Sequence, residues 1–73
     1  MRNEMHRYEL VIYWSTDDES FVAEVPELPG CMADGKTYSE AVLNAQDAID
    51  EWIETANELG RNIPVPKGKL AYA

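Results

Sequence analysis

Fourteen carboxylates, one histidine and one cysteine are the side chains in this sequence from which a reactive site could be built. So many acids first suggest metal-assisted hydrolysis, in which clustered aspartates and glutamates hold divalent ions that activate water. Such a site needs acids converging from neighbouring elements. The first apolar run, Leu10, Val11, Ile12 and Tyr13, offers none at its centre, and only Glu9 lies near its start. His6 sits in a polar lead-in, residues 1 to 6, without a second histidine or a cysteine at metal-ligand spacing. Cys31, the sole cysteine, excludes an intrachain disulfide and reads as a structural thiol. There is no phosphate-cradling glycine loop. The residues argue against an enzyme, and no catalytic group, metal or cofactor is expected.

The acids carry a different message through their placement. Asp47, Asp50, Glu51, Glu54 and Glu58 recur at steps of three and four, and no Lys or Arg occurs between Tyr38 and Leu59. Like charges one helical turn apart each cost about 0.2 to 0.5 kcal/mol, so a helix selected for stability alone would interleave lysines. A solvated face that keeps the protein soluble is one reading. The sharper reading is a landing surface for a basic partner, whose encounter rate and specificity such a field raises. Asp17, Asp18 and Glu19 form a second acidic group at the tip of a polar connection, Ser15 to Glu19, of hairpin length.

The element that must hold the larger group is a helix over Thr37 to Gly60. Its apolar stripe runs through Tyr38, Ala41, Val42, Ala45, Ala48, Ile49, Trp52, Ile53, Ala56 and Leu59. Thr37 followed by Glu40 gives a capping-box start, and Gly60 gives a left-handed stop. The helix should span about 22 residues, roughly 33 Å. Before it, Tyr8 to Trp14 reads as a strand with Val11 and Tyr13 on its second face, and Ser20 to Val25 as another, with Val22 on that same face. Pro26 to Gly30, PELPG, is a rigid turn leading to a short third strand over Cys31 to Ala33, and Asp34-Gly35 is a further turn. Leu70 to Ala73 is a marginal fourth strand. The expected fold is α+β: three antiparallel strands in the order β-β-β-α, with one long helix across a face and room for a terminal strand.

Composition bounds the rest. Seventy-three residues allow a single domain over 1 to 73. A chain this short buries only about 60% of its unfolded surface, so self-association would help it, and Val11, Tyr13 and Val22 are the residues placed to form that contact. The net charge of −8 opposes direct nucleic acid binding, which depends on cationic neutralisation of phosphates. No apolar run approaches the length of a membrane span, and the N-terminal residues lack a signal-peptide core; cytoplasmic residence is expected.

The run VPELPGC at 25 to 31, ADG at 33 to 35, Thr37, and EAVLNAQDAIDEWIE at 40 to 54 resembles the HicB-like antitoxin family, and the likeness extends over nearly the whole chain. It implies a partial ribonuclease-H-like fold without the nuclease's set of acids. It also implies a partner, a small basic HicA-like toxin that cuts messenger RNA and is masked by the antitoxin, and assembly into homodimers or higher homo-oligomers. Many members of that family carry a further C-terminal DNA-binding module; this sequence stops at Ala73 and resembles the short, stand-alone members. An orphan dimeric interaction module without a toxin partner is the alternative that the residues leave open.

Overall fold

The computed structural model describes residues 7 to 66. Three strands, β1 (Val11–Ser15), β2 (Ser20–Glu24) and β3 (Met32–Gly35), form an antiparallel sheet in the order β1-β2-β3, followed by helix α1 (Tyr38–Leu59). The α+β architecture expected from the sequence is therefore the one observed. His6 and the proposed fourth strand over Leu70 to Ala73 lie outside the described residues.

The helix boundaries follow from local chemistry. Thr37 Oγ1 accepts from the Glu40 amide at 3.1 Å, while the Glu40 carboxylate accepts from the Lys36 amide, one residue earlier than the usual reciprocal bond. Gly60, at φ 71°, ends the helix in the left-handed region, with the Arg61 amide donating to Ala56 C=O at 2.8 Å. Along the stripe, Ala41, Ala45, Ile49 and Ala56 are buried, whereas Tyr38 and Leu59 overhang the short sheet and are 59% and 60% exposed. Three strands of four or five residues cannot cover 22 residues of helix.

The register pairs Ile12 with Ala23 and Ala23 with Ala33, which puts this row beneath α1 and leaves Val11, Tyr13, Val22, Glu24 and Met32 on the outer face. Beneath the first half of the helix the core is made of small residues, Ala23, Ala41 and Ala45. Beneath the second half, Tyr8, Val25, Leu28, Cys31 and Ile49 fill the space, with Trp52 and Ile53 packed against them. Leu28, fully buried, comes from the PELPG turn. That turn is closed by bonds from Leu28 N to Val25 O (3.0 Å) and from Cys31 N to Leu28 O (2.9 Å), with Gly30 at φ 79°. Burying one such leucine contributes about 1.5 to 3 kcal/mol, so the turn is part of the core.

Two boundaries differ from expectation by more than one residue. The first strand begins at Val11, not Tyr8, because Tyr8 turns inward and donates its hydroxyl to Pro64 C=O. The third strand runs on through Asp34-Gly35, since Gly35 pairs with Phe21 and its missing side chain admits the helix.

Candidate interaction surfaces

A helix advances about 100° per residue, so Asp47, Glu51, Glu54 and Glu58 fall within an arc of about 60° on the side of α1 opposite Ala45, Ile49 and Ala56. All four are exposed, and their carboxylates make no hydrogen bond or ion pair with another described residue. They form a ridge along the outer side of the helix's second half. Asp50, expected to stand with them, is half-buried on the flank and already interacts within the chain. No base occupies the last turn of α1, so Glu58 also lies close to the negative end of the helix dipole. One apolar residue interrupts this polar side: Leu43, 64% exposed, lies one turn before Asp47. Its absence from the apolar periodicity was the signal available in the sequence, since a leucine off the stripe has no core to enter.

The second acidic group is also exposed. Asp17, Asp18 and Glu19 lie in the turn between β1 and β2, where Ser15 Oγ and the Asp18 carboxylate are 3.1 Å apart and Glu19 takes a positive φ of 52°. The turn extends from the sheet, and its acids are not part of the helix ridge. Close to it, Trp14 meets Phe21 edge-on at 5.1 Å, and Phe21 stacks on Tyr38 at 4.4 Å. Trp14 is 51% exposed.

The sheet's outer face carries the residues expected to self-associate. Val11 and Tyr13 are 41% and 43% exposed, but Val22, at the centre of the sheet, is largely covered by its neighbours. Tyr13 donates its hydroxyl to the Glu24 carboxylate at 2.7 Å, which holds the proton and raises its pKa above the ordinary phenol value. Exposed Met32 extends this apolar surface to the edge of the sheet.

Two concavities lie around β3. A groove of about 390 Å³ separates β3 from the second half of α1, lined by Cys31, Met32, Ala48, Trp52 and Ala56, with Glu51 and Arg61 also on its walls. Trp52 is fixed there by its Nε1–H bond to Pro29 C=O at 2.9 Å. Burial raises the pKa of the Cys31 thiol, so at neutral pH it is a poor nucleophile. Among the described residues no group of three or more His, Cys, Asp or Glu side chains is arranged to hold a metal ion, and no helix is long and apolar enough to cross a membrane.

Comparison with known proteins gives a consistent family. A family model described as the HicB-like antitoxin of bacterial toxin-antitoxin systems matches residues 8–72. A UPF0150 protein of Thermoplasma acidophilum is 41% identical over 54 residues, covering 74% of this chain and 78% of that protein. A UPF0150 protein of Synechocystis is 36% identical over 64 residues, covering 88% and 86%. The crystal structure of TTHA0281 from Thermus thermophilus superposes with a TM-score of 0.69 at 26% identity, covering 88% of this chain and 80% of that one.

Proposed function

Because the chain belongs to the HicB-like antitoxin family of bacterial toxin-antitoxin systems, we propose that it acts without catalysis, by binding and masking a small basic HicA-like toxin that cuts messenger RNA. The observation that carries this reading is the ridge of Asp47, Glu51, Glu54 and Glu58, four exposed carboxylates on a helix without a single base. A ribonuclease must present cationic surface to its RNA, and a protein bearing an acidic ridge competes for that same surface. Asp50 supports the ridge from its flank, and Asp17, Asp18 and Glu19 at the hairpin tip supply a second acidic contact. The net charge of −8 favours a protein partner over direct contact with nucleic acid.

The test is co-expression with a small basic protein encoded beside this chain, scored for complex formation and for rescue of growth. Glu51→Lys combined with Glu54→Lys should weaken the complex and flatten its salt dependence. Unchanged affinity would remove the ridge from the interface, and the absence of any complex would count against masking.

The outer sheet face favours a second reading, an orphan module that self-associates through Val11, Tyr13 and the covered Val22. A small basic reading frame beside this gene favours masking and its absence favours the orphan module; light scattering at micromolar concentration tests the self-contact in both, since a monomer removes it.

A further inference from the structure

β3 is bonded to the sheet on one side only. The Val25 amide donates to Cys31 C=O at 3.0 Å, and from there the antiparallel ladder alternates. Ala33 and Gly35 therefore turn their N–H and C=O groups toward β2, while Met32 and Asp34 turn theirs outward. Asp34 C=O is taken by the Asn44 amide at 2.7 Å. Among the described residues nothing bonds to the N–H or C=O of Met32 or to the N–H of Asp34. Edge strands that stay unpaired are usually blunted by lysine, proline or a bulge. The strand MADG has no lysine, proline or bulge; its shortness, four residues, and the charge of Asp34 are the protections it does have, and Met32 is 53% exposed.

Both flanks of this edge are concave, and Met32 lines both hollows. On the helix side lies the groove with Cys31, Ala48 and Trp52 on its walls and Glu51 beside them. On the outer face a depression of about 290 Å³ is lined by Tyr13, Val22 and Met32, with Asp18 and Asp34 among its walls. A strand laid against the edge sends alternate side chains to opposite flanks, so one set reaches an apolar groove and the other a hollow bearing two carboxylates.

We propose that the β3 edge is a strand-addition site for an extended segment of the cationic partner, with apolar residues directed under α1 and lysine or arginine directed at Asp18 and Asp34. This rests on the masking role argued above and names the partner's conformation and its line of contact. Charge selects the occupant. Around the edge stand Asp18, Glu24, Asp34 and Glu51, against two cations, Arg61 at the groove and exposed Lys36 directly after the strand. A second copy of this chain would bring its own acids against them, whereas a basic strand neutralises them. The backbone bonds supply affinity and the two hollows supply register.

The test is amide hydrogen exchange by NMR on the full chain, with the heptapeptide Lys-Val-Lys-Val-Lys-Val-Lys as probe and its Glu-Val counterpart as control. The lysine peptide should slow exchange at the Met32 and Asp34 amides by about tenfold or more, with the control inactive. Met32→Pro removes one outward donor and no bond to β2, so it should weaken peptide binding about tenfold; Met32→Glu, which keeps the backbone donor, should instead bind the lysine peptide at least as well. Equal binding by both peptides, binding without protection at Met32 and Asp34, or no binding at millimolar peptide overturns the proposal. So does protection that rises with protein concentration in the absence of peptide, which would assign the edge to a second copy. If a basic partner binds and loses affinity on Glu51→Lys while Met32 exchange is unchanged, masking survives and strand addition fails.

Discussion

Gly35 and Ala41 lie so close that a Cβ placed on Gly35 would stand 2.5 Å from the Ala41 amide nitrogen and 2.8 Å from the Glu40 carbonyl carbon. The obstacle is helix backbone, which cannot swing aside as a side chain could. Gly35→Ala should therefore cost about 1 to 3 kcal/mol, toward the upper end, measured as a lower urea midpoint. Ala41→Gly should not rescue it, because the clash does not involve the Ala41 side chain. Rescue would mean that the contact is side-chain packing.

Glu54 faces Asp50 and Glu58 one turn away on either side. Glu54→Lys converts both pairs from repulsive to attractive, and the free protein should gain roughly 0.5 to 1 kcal/mol at low salt. The same change should weaken binding of a cationic partner, so stability and affinity should move in opposite directions. Calorimetry with and without added salt checks the first half, since screening should shrink the gain.

Legibility in the sequence tracked the range of the interaction. The helix could be read to its caps because Thr37, Glu40 and Gly60 act on groups within four residues of themselves. The start of β1 could not, because Tyr8 is drawn inward by a carbonyl 56 residues away. Asp34-Gly35 looked like a turn for a related reason: the use of Gly35 appears only when α1 crosses it. The acidic ridge followed from periodicity alone, yet the partial burial of Asp50 on its flank depended on tertiary packing. The hollows on either side of Met32 left no mark in the sequence, since they are bounded by residues from all three strands and the helix.

Ser20 is 7% exposed, and its hydroxyl oxygen has no hydrogen-bond partner among the described residues. A buried hydroxyl without a partner costs about 1 to 3 kcal/mol in desolvation. Ser20→Ala should raise stability by about 1 kcal/mol, seen as a higher denaturation midpoint. A loss of that size would place a bound water on the hydroxyl.

Burial raises the pKa of both the Cys31 thiol and the Tyr8 phenol, the latter with help from Glu27. A raised value means that the folded state holds the proton more tightly than the unfolded chain. The contribution is complete below the ordinary values of 9.0 and 10.0 and is lost as pH climbs through the raised ones. Stability should be level through neutral pH and decline in alkali. Cys31→Ala combined with Tyr8→Phe should make that decline shallower in equilibrium unfolding, leaving the share of Tyr13, whose bond to Glu24 also raises its pKa.

The contrast between the small-residue half of the core and the large-residue half also has an optical consequence. Trp14 sits by Phe21, which stacks on Tyr38 at one end of the helix, and Trp52 is tethered to Pro29 toward the other; Tyr38 and Trp52 are about 21 Å apart along the helix axis. Each half thus has its own fluorophore, one wet and one sheltered. Removing either with a Trp→Phe change leaves a single emitter, and comparing the two melting curves shows whether the two ends of this small domain come apart together or in turn.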